Sequence, residues 1–167
     1  MSGSIRAMCE SDLESVLAWR NHPDIRKFMY TQHKISPAEH RRWFTQSRQD
    51  ESRTLLIFES DATPLGFINL TQSKHAQIAD WGFYLSPLAP RGTGYELGKA
   101  ALEYAFTTLE LHKVCGQALG FNERSIKLHL RLGFQQEGEL RDQYYDGQCY
   151  HSVVHFGLLR NEWQTQP

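Results

Sequence analysis

Residues 89 to 98 read Ala-Pro-Arg-Gly-Thr-Gly-Tyr-Glu-Leu-Gly, glycine-dense between an apolar strand-like run and a helix-like run. Gly92 and Gly94 remove Cβ atoms where the backbone must turn, and the uncapped N–H groups of the first helical turn then face whatever negative group docks there. Phosphate suits such a loop, although the same residues would also make a plain strand-to-helix turn. Further on, Asn122, Ser125, His129 and Leu132 recur at spacings of three, four and three, one stripe of a helix. The polar end of that stripe can face a ligand or simply water.

Two other histidine patterns bear on chemistry. His40 and Trp43 lie three apart in a segment opened by Ser36-Pro37-Ala38-Glu39, so one helix face would present both. His151 and His155 would suit a shared ion on a helix, but on a strand they stand about 13 Å apart, too far for one metal. No metal site is expected.

The elements that must position these groups follow from the pattern of apolar residues. Ile5 to Met8 reads as a strand; Ser11 or Asp12 caps a helix to Asn21 with Leu13, Val16, Leu17 and Trp19 available for burial. A short helix after Pro23 holds Ile25, Phe28 and Met29, and the Ser36 capping box opens another to about Gln49. Thr54–Glu59 and Leu65–Gln72 form a hairpin around Asp61-Ala62-Thr63, and a third strand covers Gln77 to Leu85. A helix follows from Tyr95 to Leu109, then a strand from Val114 to Leu119, then a helix capped by Asn122 and ended by Gly133. Asp146-Gly147 suggests a type I′ turn between two aromatic strands, the second with Val154, Phe156 and Leu158 on one face.

The chain of 167 residues is of one-domain size, and its 18 basic and 19 acidic residues give a net charge of −1. A global attraction to nucleic acid or an acidic membrane is therefore not expected, and a small-molecule partner is. Cys9, Cys115 and Cys149 are an odd count with no close pair, which argues against a disulfide scaffold or a Cys-rich zinc site and fits the cytoplasm. No signal peptide or membrane span is expected, since no apolar run reaches the necessary length.

Arg91-Gly-Thr-Gly94 after a strand, followed by Asn122-x-x-Ser125-x-x-Leu128-x-x-x-x-Gly133-Phe134, resembles the GNAT family of acetyl-CoA N-acetyltransferases. The resemblance covers nearly the whole chain. It implies one α/β (α+β) domain over residues 1–167, a mixed, mostly antiparallel seven-stranded sheet flanked by four to five helices, and acetyl-CoA as cosubstrate. By the same resemblance, backbone amides from Arg91 through Gly92, Thr93, Gly94, Tyr95 and Glu96 hold the CoA pyrophosphate, and Asn122 and Ser125 contribute to the cofactor site. Main-chain groups of Phe83, Tyr84 and Leu85 meet the acetyl and pantetheine groups, with the oxyanion donor among the first two. Gly82 sits where a bulge would help that strand splay, or where close packing needs no side chain.

Trp19-Arg-Asn-His-Pro-Asp-Ile-Arg26, Met29, and Ser36-Pro-Ala-Glu-His-Arg-Arg-Trp-Phe44 resemble two groups within that family. One acetylates ribosomal protein N-termini. The other, also resembled by residues 150 to 163, acetylates the 4-amino group of UDP-4-amino-4,6-dideoxy-N-acetyl-β-L-altrosamine in pseudaminic acid biosynthesis. A nucleotide-sugar acceptor is the first reading, a protein N-terminus the second, and a noncatalytic acyl-CoA or nucleotide-sugar binding module the third; a homodimer is compatible with all. On the first reading Met29 and Trp43 wall the sugar methyl, and Arg20 or Arg26 meets the UDP phosphates.

Three positions depart from the family pattern. His129 stands where many relatives have a tyrosine acid, and could protonate the thiolate, contact CoA or play a structural part. Gln117 stands where several have a glutamate base; a carboxamide cannot take the amine proton but can bind substrate or a relay water. His40 is then the alternative base or substrate ligand, unless it is only a helix-surface residue. Glu96 replaces a small residue, and repulsion from pyrophosphate should turn it outward.

Overall fold

Alternating side chains make each strand of this protein two-faced, and the computed structural model, which describes residues 3–167, buries both faces of the sheet's centre. The strands are β1 (Gly3–Ala7), β2 (Arg53–Ser60), β3 (Thr63–Gln72), β4 (Ile78–Leu85), β5 (Lys113–Leu119), β6 (Gln135–Tyr145) and β7 (Tyr150–Leu159). They form one seven-stranded sheet ordered β1-β2-β3-β4-β5-β7-β6, antiparallel except where β4 meets β5. The helices are α1 (Leu13–Asn21), α2 (Pro23–Arg26), α3 (Pro37–Gln49), α4 (Thr93–Glu103), α5 (Glu123–Arg131) and α6 (Arg160–Gln164). The α/β fold expected from the sequence is the one observed.

On one face, Leu56, Phe58, Ile68, Leu70, Val114 and Phe156 pack against Leu97, Ala101 and Leu102 of α4 and the Leu132-Phe134 segment after α5. On the other, Ile57 and Phe67 meet Val16 and Trp19 of α1 and Phe44 of α3. Because α1 and α3 cover the β2–β3 side of that second face and reach β4 at Tyr84, the β5 and β7 side is left for something else.

Local chemistry sets most boundaries. Asp61 and Ala62, both at positive φ, form the two-residue turn between Ser60 and Thr63. Ser36 accepts from the Glu39 amide, but the return half of the capping box is absent because Glu39 reaches His33 at 3.1 Å. Asp12 occupies the cap of α1 without capping it: two bonds of 2.8 Å from Arg6 and one from the Cys9 amide take its carboxylate.

Four expected boundaries shift. Met8 lies beyond β1, buried, with its amide on Leu55 O. Phe28 and Met29 follow α2 rather than belonging to it. The helix expected to reach Leu109 widens at Tyr104–Thr108 into a π turn, placing Ala105 and Phe106 in the core. The β6–β7 connection is a four-residue loop, not a type I′ turn, because Asp146 Oδ1 accepts from the amides of Gln148 and Cys149.

Candidate active site

β4 pairs with β3 along its whole length but with β5 only from Ile78 to Asp80. Past Asp80 the strands part, leaving the edge of Trp81–Leu85 unpaired beside a cleft of about 920 Å³. The wedge is visible at the next rung. Gly116 would face Trp81 if the ladder continued, and a Cβ there would lie 2.5 Å from His129 Nε2 and 2.7 Å from Trp81 Nε1. The indole and imidazole thus occupy the space over β5. Gly82 carries no bulge, since its register opposite Asn69 is unbroken, and a Cβ there would meet nothing within 4 Å. It keeps the cleft open instead of packing closely.

His129 is 1 % exposed. Its Nε2 accepts from Trp81 at 3.0 Å, which leaves the ring proton on Nδ1, donated to Ser125 O at 2.8 Å. The ring stacks on Phe156 at 4.6 Å and 9° and meets Phe134 edge-on. Burial holds its pKa below the usual imidazole value, the Ser125 bond opposing that in part. A neutral ring with both nitrogens engaged is arranged as a core histidine that wedges the fork at the edge of the cleft, the structural part among the three read from the sequence.

Gly92, at φ 97°, is the left-handed N-cap of α4. The bonds that close the loop use the amides of Thr93, Tyr95 and Glu96, leaving those of Gly92 and Gly94 for an anion. Thr93 is fully buried, its hydroxyl on Pro90 O at 2.7 Å, so its side chain is structural. Glu96 turns to Lys99 at 3.3 Å, outward as its charge requires. Asn122 caps α5 by accepting from the Ser125 amide, and both residues line the cleft. So do Arg91, Arg124, Lys127 and Arg131, with the Arg131 guanidinium 4.1 Å above the Tyr95 ring. The last three sit at spacings of three and four along α5, a stripe the sequence reading passed over. Unused amides, a free strand edge and this basic flank fit an extended acyl-CoA.

The opposite end of the cleft is lined by Phe28, Met29, Tyr30, Asn69, Asp80 and Gln117. Tyr30 OH donates to Gln117 Oε1 at 2.9 Å, and Asn69 Oδ1 is buried without a partner. Asp80 shares a face with Gly82 and Tyr84 at the root of the fork, a carboxylate also missed in the sequence although strand alternation put it there. Burial raises the Tyr84 phenol far above its ordinary range. Three expected acceptor residues lie elsewhere. His40 is buried against Trp43, centroids 5.2 Å apart, and Trp43 continues through Phe67 into the α1–α3 core, so neither lines the cleft. Arg20 is half-buried; its Nη2 donates to Thr31 O at 3.0 Å, tying the loop after α2 to α1. These side chains lie outside the cleft lining, with Arg20 Nη1 and His40 Nε2 buried without a hydrogen-bond partner.

A strand edge freed to pair with an extended thioester, ending at a helix start open to its diphosphate, is the architecture of an acyl-CoA-dependent transferase. The acetyltransferase (GNAT) domain matches residues 4–135, and the chain belongs to that family; it is an N-acetyltransferase that uses acetyl-CoA. Acetyltransferase PseH of Campylobacter jejuni is 29 % identical over 137 residues, covering 80 % of this chain and 83 % of that one. Spermidine N(1)-acetyltransferase of Escherichia coli is 23 % identical over 167 residues, 99 % and 90 % of the two chains. The structure of spermidine N-acetyltransferase from Vibrio cholerae with CoA and spermine superposes with a TM-score of 0.90 at 21 % identity, over 98 % of both chains, a likeness of fold.

Proposed function

We propose that this enzyme, acting as one domain, acetylates the 4-amino group of a UDP-linked 4-amino-4,6-dideoxy sugar, UDP-4-amino-4,6-dideoxy-N-acetyl-β-L-altrosamine being the first substrate to try. One observation carries the reading: at the acceptor end an uncharged hydrogen-bonded pair, Gln117 and Tyr30, lies beside an aromatic and basic rim. Phe28 stacks on Phe121 at 5.9 Å, and Lys27 Nζ lies 5.1 Å from the Phe28 centroid and 3.8 Å from Asp24. Aromatic faces suit a base and sugar, and cations suit a diphosphate. A polyamine would need several carboxylates, and among the described residues only Asp24 and Asp80 line the cleft as acids.

In the proposed reaction the amine attacks the thioester carbonyl directly, forming C–N as C–S breaks. A main-chain amide at Phe83 or Tyr84, on the free edge of β4, steadies the oxyanion. Asp80 takes the amine proton through a water, and water returns one to the thiolate.

Incubation with acetyl-CoA and, separately, the UDP-amino sugar, spermidine and a ribosomal N-terminal peptide, read by mass spectrometry, tests the acceptor. An acetylated sugar supports the reading. Acetylated spermidine or peptide with the sugar untouched sinks it.

A further inference from the structure

We propose that Asp146, Cys149 and His151, on the loop between β6 and β7, form a binding site for a thiophilic divalent cation of the zinc class. Their ligand atoms lie within 4.8 Å of one another. Cys149 Sγ is 3.4 Å from His151 Nε2 and 3.7 Å from Asp146 Oδ2, while Nε2 and Oδ2 are 2.7 Å apart in a hydrogen bond. A tetrahedral ion with bonds of about 2.0 to 2.3 Å spaces its ligand atoms by about 3.3 to 3.7 Å. Two of the three separations already fit, and the third opens by roughly 0.6 Å as the metal replaces the shared proton.

The loop is built before any ion arrives. Asp146 Oδ1 holds the Gln148 and Cys149 amides, so Oδ2 is left for the thiol and imidazole. Phe121 packs edge-on against the His151 ring at 4.7 Å and fixes its plane. A thiolate, an imidazole and one carboxylate select Zn²⁺ or Co²⁺ over Mg²⁺ and Ca²⁺, and three protein ligands leave a fourth position for water. On binding, the Cys149 thiol proton goes to solvent, and the proton between His151 and Asp146 leaves or moves to Nδ1.

The site also has a route to the acceptor end. Asp146 and His151 line a second cavity of about 580 Å³ with Lys27, Gln32, Phe121 and Tyr144. Tyr144 OH donates to Tyr30 O and accepts from Gln32 Nε2, each at 3.1 Å, and Tyr30 in turn holds Gln117. An ion that stiffens this loop braces the acceptor wall without taking part in acetyl transfer. The inference stands whichever amine is the substrate.

Untagged, chelator-stripped protein titrated with Co²⁺ should bind one equivalent with a thiolate-to-cobalt charge-transfer band, which Zn²⁺ then bleaches. Cys149→Ser should abolish the band, His151→Gln should weaken binding by about tenfold or more, and Cys9→Ser should change neither. Zn²⁺ should raise the melting temperature of the wild type and leave that of Cys149→Ser unmoved, which also reports that the variant is folded. Absence of the band, or a band that survives Cys149→Ser, overturns the proposal.

Discussion

Trp81 donates its indole N–H to His129 Nε2 at 3.0 Å directly over Gly116, where β4 and β5 part. The bond requires an unprotonated Nε2, and burial lowers the His129 pKa to match; burial lowers that of His40 too. The folded state therefore resists a proton that the unfolded chain accepts near pH 6.5. Stability is full above that pH and falls as the pH drops below it toward the depressed folded values. His129→Gln should cost about 2 to 3 kcal/mol at neutral pH by breaking the Trp81 bond and the Phe156 stack. Its melting temperature should then fall less steeply than the wild type's from about pH 7 to pH 5. Equal slopes would remove His129 as a source of the pH dependence.

Glycines at the fork and the loop separate two causes of intolerance. At Gly116 an added methyl collides with the Trp81–His129 pair, so Gly116→Ala should cost about 1 to 3 kcal/mol in urea unfolding. At Gly92 there is open space but φ is +97°, and Gly92→Ala should cost about 1 kcal/mol while raising the KM for acetyl-CoA. If Gly92→Ala proved the more destabilising, the wedge account of the fork would be wrong.

The contrast shows which parts of the site were legible in the sequence. Gly92 and Gly94 announced the start of α4, open to an anion, and Asn122 announced the cap of α5. These are local signals, set by neighbours along the chain. The alternatives at His129 stayed open because its surroundings depend on Trp81 and Ser125, one of them forty-eight positions away. His40 and Trp43 were correctly paired on one helix face, but only tertiary packing decides whether that face meets the cleft or the core. Asp80 was passed over because a lone acid in a strand has no meaning until the neighbouring strand leaves it.

Asp80→Asn tests the proton route at the root of the fork. The substitution keeps size and hydrogen bonding while removing the proton acceptor, so kcat should fall by about a hundredfold or more. The KM for acetyl-CoA should hold, because the CoA loop lies at the other end of the cleft. Raising the pH should restore part of the rate as hydroxide substitutes for the carboxylate. A kcat within about twofold of the wild type, far short of the roughly 10²–10⁴-fold that a positioned base supplies, would assign the proton to another group.

The exposed stripe Arg124, Lys127 and Arg131 makes a separable claim about the donor. Arg131 also covers the Tyr95 ring, so its loss mixes charge with packing, whereas Arg124 and Lys127 present charge alone. Arg124→Glu and Lys127→Glu should each raise the KM for acetyl-CoA several-fold with little change in kcat, because a phosphate bound equally in the ground and transition states contributes only to binding. Exposed charges are screened within about 8 to 10 Å at moderate ionic strength. Added salt should therefore raise the wild-type KM toward the variants' values while moving theirs less. A KM insensitive both to charge reversal and to salt would mean that α5 faces the cleft without holding the phosphates, leaving the Gly92 and Gly94 amides as their principal anchor.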